Sequence, residues 1–288
     1  MVVGSNHAGP TFILVWQLAF NLEEGLQPEE SLVIIRFLGT HNEESHDSRL
    51  VSLLVDDILA VDAGSLVSEL TFTEQEKIRV VLLSHGHYDH IRAVPALAFN
   101  NYHHLIKVFA TQSTLEILAS HLVDGLIYPK FTEKNSFLEK PALKLCRLEI
   151  FKPQDIEGYQ VTAVPLNHPI ETVGFDIVSP DKRQILYLTD TGPGLDKLWE
   201  HVSPHLLIID ATYPNRLEKV AWDAGHLCPQ LLMTELAGFR RVSGYLPRVI
   251  LIHMNPRLEG EIRDEVKKVS EDLGISIEMA KEGDRVVV

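Results

Sequence analysis

Residues 84–90 have the sequence Ser-His-Gly-His-Tyr-Asp-His, which places three imidazoles and one carboxylate within six consecutive positions. Imidazoles and carboxylates are the ligands that suit zinc and similar divalent transition metals. A His-x-His-x-Asp-His spacing cannot direct all four side chains to one ion, but it suits two neighbouring ions. His85 and His87 are alternate residues and can converge on one metal, while Asp89 and His90 turn toward a second. The stretch therefore predicts part of a dinuclear metal site.

The remaining ligands are expected at the ends of other strands. Residues 80–83, Val-Val-Leu-Leu, predict a buried strand directly before the histidines, and α/β proteins bind ligands at such carboxyl ends. His168, Asp190 and His253 also follow apolar β-strand patterns, so they can complete both coordination shells. Asp62 is a candidate hydrogen-bond acceptor for a metal-bound histidine, although a turn-forming role explains it equally well.

Composition limits the classes of function. The chain has 288 residues, of which 45% are hydrophobic and 23% charged, as in soluble globular proteins. Its 40 acidic and 26 basic residues give a net charge of −14, which argues against binding extended nucleic acid or anionic membrane. A small phosphodiester held by metal ions remains compatible with this charge. The two cysteines, Cys146 and Cys228, lie far apart, which favours a reducing cytoplasm.

The pattern predicts one α/β domain over residues 31–288 and an N-terminal extension over residues 1–30. The apolar run Thr11–Phe20 is too short to span a bilayer, and the absence of Lys or Arg before Arg36 argues against a signal peptide. The extension is expected to form a strand or a short helix and is compatible with a homodimer contact. Within the domain, a helix is predicted over Ile91–Asn100 and strands over Val173–Val178 and Gln184–Leu188.

The order of these residues resembles the metallo-β-lactamase fold superfamily over roughly residues 31–288. The resemblance includes Asp62-x-Gly64 upstream of the histidine-rich stretch. It implies a four-layered αβ/βα sandwich, in which two mixed β-sheets are flanked by helices. It also implies which residues bind which ion: the first metal takes His85, His87 and His168; the second takes Asp89, His90 and His253; and Asp190 bridges both.

Two further segments resemble the phosphodiesterase-type branch of this superfamily. They are Asp210-Ala-Thr-Tyr-Pro214 and Gly225-His-Leu-Cys-Pro229, and they are similar to class II cyclic-nucleotide phosphodiesterases. Asp210 and His226 are also expected in the tRNA 3′-end endonucleases of the same branch. The predicted catalytic residues are therefore His226, Asp210 and Asp89, with His226 donating a hydrogen bond or a proton and Asp210 accepting its other N–H.

The sequence thus predicts a dinuclear metal-dependent hydrolase, most specifically a phosphodiesterase for a cyclic nucleotide or other small phosphodiester. Two neighbouring ions lower the pKa of a shared water toward roughly 7 and so provide a bridging hydroxide at neutral pH. Zn²⁺ is the expected ion, but the same ligands accept Mn²⁺ or iron. Three alternatives stay open: a tRNA 3′-end endonuclease, a non-catalytic di-iron sensor, and a thioester or lactone hydrolase.

Overall fold

A computed structural model describes residue 1 and residues 32–288 of the chain. Residues Val33–Val288 form one compact unit, which contains every predicted site residue. The predictions for residues 1–30 lie outside the described residues, apart from Met1. None of the helices in the described part of the chain has the length and apolar character needed to cross a bilayer.

The first of two seven-stranded sheets, termed the N-sheet, carries the histidine-rich stretch. Its strands are β1 (Ile34–Gly39), β2 (Ser52–Val55), β3 (Leu59–Val61), β4 (Val80–Leu82), β5 (Ile106–Ala110), β6 (Leu143–Arg147) and β14 (Arg285–Val287). They lie in the order β14-β1-β2-β3-β4-β5-β6. The strands from β14 to β3 are antiparallel and those from β3 to β6 are parallel. Asp56 and Asp57, with φ of 47° and 61°, form a tight turn between β2 and β3.

The second sheet, termed the C-sheet, supplies the remaining predicted ligands. Its strands are β7 (Gln154–Ile156), β8 (Tyr159–Pro165), β9 (Val173–Val178), β10 (Gln184–Leu188), β11 (Leu206–Asp210), β12 (Arg248–Ile252) and β13 (Ile277–Met279). They lie in the order β13-β12-β11-β10-β9-β8-β7, antiparallel from β7 to β10 and parallel from β10 to β13.

Helices cover the outer faces of both sheets. They are α1 (Phe72–Gln75), α2 (Tyr88–Ile91), α3 (Val94–Asn100), α4 (Gln112–His121), α5 (Asp196–Trp199), α6 (Glu218–Ala224), α7 (Pro229–Ser243) and α8 (Glu259–Leu273). A short 3₁₀ helix, Asn215–Leu217, precedes α6.

The helix predicted over Ile91–Asn100 is instead divided between α2 and α3. Pro95 has no N–H with which to bond the Ile91 carbonyl four residues earlier. The Ala93 N–H bonds the Ala63 carbonyl at 2.8 Å instead, which anchors the break to the segment after β3.

The alternation of side chains along each strand produces the layers of the fold. Along β4 and the residue that follows it, Val80 and Leu82 join a core between the two sheets, whereas Val81 and Leu83 join a second core beneath the N-sheet helices. A third core lies between the C-sheet and its helices. Because side chains on a strand point alternately to opposite faces, each sheet is apolar on both sides. The four-layered αβ/βα sandwich predicted from the sequence is confirmed.

Candidate metal centre

The histidine-rich stretch begins where β4 ends and is fixed by close packing. Ser84 and His85 are fully buried. A Cβ added to Gly86 would lie 2.4 Å from Cδ1 of Ile117 on α4, so a larger residue here would require the Ile117 side chain to shift. His87 then forms the N-cap of α2, which places Asp89 and His90 in its first turn. The loop and the helix together direct the four side chains in two directions.

One set of ligand atoms, termed the first cluster, consists of three imidazole nitrogens and one carboxylate oxygen. His87 Nδ1 lies 3.0 Å from His85 Nε2 and 3.3 Å from His168 Nε2. Oδ2 of Asp190 lies 3.5 Å from His85 Nε2 and 3.9 Å from His168 Nε2. The structure thus brings together the residues predicted for the first metal, with His87 presenting Nδ1 where the other two present Nε2.

A second cluster lies on the other side of the Asp190 carboxylate. Its Oδ1 atom is 3.2 Å from His253 Nε2 and 3.4 Å from His90 Nε2. Oδ2 of Asp89 is 3.5 Å and 3.4 Å from the same two nitrogens. Since each Asp190 oxygen faces a different cluster, this carboxylate has the geometry of a bridging ligand.

The donor set fits two divalent cations. Nε2 of His90 and Nε2 of His253 are buried and have no hydrogen-bond partner among the described residues, although a buried polar atom left in this way is costly. Bond lengths of roughly 2.0–2.1 Å in a tetrahedral zinc site place neighbouring nitrogens roughly 3.3 Å apart. The separations in both clusters are close to this value.

The Nδ1 atoms of His85 and His90, which face away from the clusters, are also hydrogen-bonded. His90 Nδ1 donates to Oδ2 of Asp62 at 2.8 Å. His85 Nδ1 donates to the Ser84 hydroxyl at 2.9 Å, and this hydroxyl donates to the same Asp62 oxygen at 2.9 Å. The fully buried Asp62 therefore occupies the position predicted for an acceptor beside a metal-binding histidine, and these bonds orient both rings with Nε2 toward the clusters.

The two outlying histidines are oriented by the C-sheet side of the molecule. His168 Nδ1 donates to the Gly225 carbonyl at 3.0 Å, and His253 Nδ1 donates to the Thr212 hydroxyl at 3.1 Å. Both Nε2 atoms consequently face the clusters as acceptors. Thr212 lies in a segment that the sequence singled out, but its role depends on a contact between residues 41 positions apart and could not be found from the sequence.

The protonation states of the first cluster favour metal binding, which requires neutral imidazole and ionised carboxylate. Burial lowers the pKa of His85 well below its ordinary value, and burial also lowers the pKa values of His87 and His168. Burial alone would raise the pKa of Asp190, but His253 and His90 hold it well below its usual range. The bridging carboxylate is therefore ionised. In the second cluster burial alone would lower the pKa of His90, but the charges of Asp190, Asp62 and Asp89 raise it well above its ordinary value.

Three residues of the centre adopt left-handed backbone conformations at strand ends. Asp62 follows β3 with φ of 55°, Asp190 lies two residues after β10 with φ of 53°, and His253 follows β12 with φ of 60°. Non-glycine residues seldom adopt such conformations, and they concentrate at functional sites. The turn away from each strand places a polar side chain at the shared edge of the sheets.

His226 and Asp210 form a hydrogen-bonded pair beside the second cluster. His226 Nδ1 donates to Asp210 Oδ2 at 3.1 Å, and its ring stacks on His253 with centroids 5.2 Å apart. Each of Asp190, His226 and His253 offers a ligand atom, and these atoms lie within 4.8 Å of one another. Burial alone would lower the His226 pKa, but the hydrogen bond to Asp210 and its charge raise it above the ordinary value. His226 is thus placed to face a molecule bound at the clusters.

Comparison with known sequences identifies the family. A model described as "Beta-lactamase superfamily domain" matches residues 59–254, which include every residue of both clusters. Ribonuclease Z of Pyrobaculum calidifontis is 24% identical over 234 residues, covering 68% of this chain and 79% of that protein. An octanoyltransferase of Porphyromonas gingivalis is 25% identical over 159 residues, covering 52% of this chain. This chain spans only 30% of the length of that octanoyltransferase.

Solved structures show the same fold. Unliganded yeast PDE1 has a TM-score of 0.76 at 17% identity, covering 89% of this chain and 99% of that one. The metallo-β-lactamase fold protein YhfI from Bacillus subtilis has a TM-score of 0.71 at 18% identity, covering 90% of this chain and 100% of that one. The prediction of superfamily and fold is therefore confirmed: this chain belongs to the β-lactamase superfamily and has the metallo-β-lactamase fold of its metal-dependent hydrolases.

Proposed function

We propose that this protein is a dinuclear metal-dependent phosphodiesterase that acts on a cyclic nucleotide or another small phosphodiester. The observation that carries the proposal is the pair formed by His226 and Asp210 beside the two clusters. A ring that is 8% exposed, hydrogen-bonded to a buried carboxylate and stacked on His253 is suited to deliver a proton to a leaving alkoxide.

The clusters would hold two divalent cations, one on His85, His87 and His168 and one on Asp89, His90 and His253, with Asp190 shared. When bound, such ions lower the pKa of water and neutralise negative charge on phosphate oxygens. Zn²⁺ remains the proposed ion, with Mn²⁺ or iron as alternatives.

The chain's own residues supply the remaining functions. The Asp89 side chain is 29% exposed, so its carboxylate can orient the attacking water by accepting a hydrogen bond. His226 would donate its Nε2 proton to the leaving oxygen, while Asp210 accepts from Nδ1 and favours the protonated ring. Asp210 is also held by the N–H of Leu227 at 3.4 Å and the hydroxyl of Thr212 at 3.1 Å, which fix it without neutralising it.

The net charge of −14 supports a small substrate, because extended nucleic acid is bound mainly by arrays of basic residues. Two free cysteines, Cys146 and Cys228, support the proposal of a cytoplasmic protein. A homodimer stays a prediction.

A tRNA-processing endonuclease is the second candidate, and two observations favour it. Ribonuclease Z is among the sequence relatives. Residues 128–152 also carry six Lys or Arg against three Glu, so this segment is basic within an acidic chain. A polyanion that reached the centre across this segment would meet a favourable potential.

A hydrolysis panel tests both candidates. Purified protein is reconstituted separately with zinc, manganese and iron and assayed with bis-p-nitrophenyl phosphate, 2′,3′- and 3′,5′-cyclic nucleotides, a tRNA precursor and a thioester. Cleavage of a cyclic nucleotide with a kcat/KM that exceeds that for the tRNA precursor supports the proposal. Preferential cleavage of the tRNA precursor selects the second candidate, and activity on the thioester alone rejects both.

A further inference from the structure

Tyr187 is a buried residue that neither binds a metal nor donates a proton to substrate in the proposed function. It lies on β10, is 1% exposed, and its ring stacks on that of Phe175, its β9 partner, with centroids 6.3 Å apart. Its hydroxyl reaches the end of the opposite sheet and donates to Oδ2 of Asp62 at 2.6 Å. Phenylalanine would fill the same core, so the hydroxyl requires a separate explanation.

The acceptor of this bond controls one ring in each cluster. Oδ2 of Asp62 also accepts from His90 Nδ1 at 2.8 Å and from the Ser84 hydroxyl at 2.9 Å. The Ser84 hydroxyl in turn accepts from His85 Nδ1 at 2.9 Å. A displacement of this single carboxylate would therefore reorient His90 directly and His85 through Ser84.

The contact also joins the two halves of the centre. Asp62, Ser84 and the histidine-rich stretch belong to the N-sheet, whereas Tyr187 stands on the strand that leads to Asp190 in the C-sheet. Asp190 must reach both clusters, so the spacing between the two sheets has to be held at this edge. Burial and the neighbouring Asp62 charge raise the pKa of Tyr187 well above its ordinary value, which keeps the hydroxyl protonated as the donor.

We propose that Tyr187 is a positioning residue of the metal centre: its hydroxyl holds the Asp62 carboxylate from the opposite sheet and thereby fixes the His85 and His90 rings for metal binding. This inference rests on the proposed function, because it presupposes the dinuclear centre.

The test compares Tyr187→Phe with the matched variant Tyr159→Phe. Tyr159 is 4% exposed in the same core between the sheets, and its hydroxyl donates to Asp56, which lies at the other end of β3 from Asp62. Both substitutions keep the aromatic ring and remove one tyrosine–aspartate hydrogen bond, which is buried for Tyr187 and partly buried for Tyr159, so both variants are expected to fold. They differ in whether that bond reaches the clusters.

Three quantities are measured on the full chain: the zinc content, the rate of zinc transfer to a chromophoric chelator, and the visible spectrum of the cobalt-substituted protein. Removing a group bonded directly to a metal ligand typically weakens metal affinity about 10- to 100-fold. Because Tyr187 acts through Asp62, zinc loss from Tyr187→Phe should accelerate by about tenfold, the lower end of this range, and the cobalt spectrum should change. Ser84→Ala, which frees only His85, should show a change of the same kind. Tyr159→Phe should match the wild type in metal properties while its thermal midpoint falls.

The outcomes separate the inference from the proposed function. Wild-type protein that retains no metal overturns the dinuclear centre and the role of Tyr187 with it. Wild-type protein with two ions, together with unchanged zinc loss and cobalt spectrum in Tyr187→Phe, overturns the role of Tyr187 alone. Equal acceleration in Tyr187→Phe and Tyr159→Phe would show general loosening of the core and would also overturn it.

Discussion

Replacement of His226 provides the sharpest test of how the leaving group departs. Removing a positioned general acid typically costs about 10²- to 10⁴-fold in rate, or roughly 3–5 kcal/mol of transition-state stabilisation. His226→Asn can retain the hydrogen bond to Asp210 through its amide N–H, because that amide stands near the position of Nδ1, but it has no group at the position of Nε2. The variant therefore removes the proton donor while keeping Asp210 partnered.

The size of the loss should depend on the substrate. A cyclic nucleotide expels an alkoxide, which needs a proton, so kcat should fall by about 10²- to 10⁴-fold. Bis-p-nitrophenyl phosphate expels p-nitrophenolate, which is stable without a proton, so its kcat should fall by less than about tenfold. Metal content, measured by atomic emission on the same samples, should remain two ions per chain.

Two results would refute this reasoning. Equal losses with both substrates would show that His226 does not protonate the leaving group. Loss of an ion from the variant would instead make His226 a metal ligand, a role that its proximity to Asp190 and His253 permits.

Three further predictions follow from the geometry. Asp190→Asn should weaken binding of both ions by more than about 100-fold, because its two oxygens serve different clusters; retention of either ion, measured by metal analysis after dialysis, would contradict the bridging role. Gly86→Ala should lower zinc affinity because its Cβ would lie 2.4 Å from Ile117 Cδ1, and Ile117→Val, which removes that atom, should restore it in a chelator titration. Failure of the second change to rescue the first would exclude this clash. His41 donates to Glu282 at 2.6 Å, and thermal unfolding of His41→Gln should lose the pH dependence that this pair produces.

The sign of that pH dependence follows from the two groups. Burial alone would raise the Glu282 pKa, but the His41 hydrogen bond lowers it from 4.5 to about 2, so its contribution is lost as the pH falls from 4.5 toward 2. This shift corresponds to roughly 3 kcal/mol. Burial alone would lower the His41 pKa, but Glu282 raises it above 6.5, so its contribution is complete below pH 6.5 and is lost as the pH rises through the folded-state pKa. The pair therefore stabilises the wild type most between pH 4.5 and 6.5. A wild-type thermal unfolding midpoint that stays constant from pH 4.5 to values above pH 6.5 would contradict the assignment.

The sequence was sufficient to predict which residues meet, because the patterns that carry that information are local. Val80–Leu82 and Arg248–Ile252 are apolar β runs, and the polar residue after each run had to lie at a strand end. Parallel strands bring such ends to one edge of each sheet. Because β4 and β12 lie in different sheets, the convergence of His85 and His253 also depended on the order of ligands that resembles the superfamily.

Other features depend on contacts that leave no local pattern. The strand β6 has no clear apolar alternation, because the exposed Lys144 and Arg147 interrupt it on a strand at the edge of the N-sheet. His87 presents Nδ1 to the first cluster, and the sequence does not specify that ring orientation. Tyr187 looks like an ordinary core residue of a strand, since its acceptor lies 125 residues away.

The left-handed conformations of Asp62, Asp190 and His253 also affect how the protein opens. Each such conformation costs about 1–3 kcal/mol, and the surrounding structure must offset that cost. When ions bind, their interaction with Asp190 and His253 contributes to the offset directly, and their interaction with His90 contributes through its hydrogen bond to Asp62. After chelation, the same cost favours local unfolding at this edge while the strand interiors stay closed. Amide hydrogen exchange in chelator should therefore rise first at the carboxyl ends of β3, β10 and β12. In metal-free protein, the edge that carries the metal centre would then be the least stable part of the two sheets.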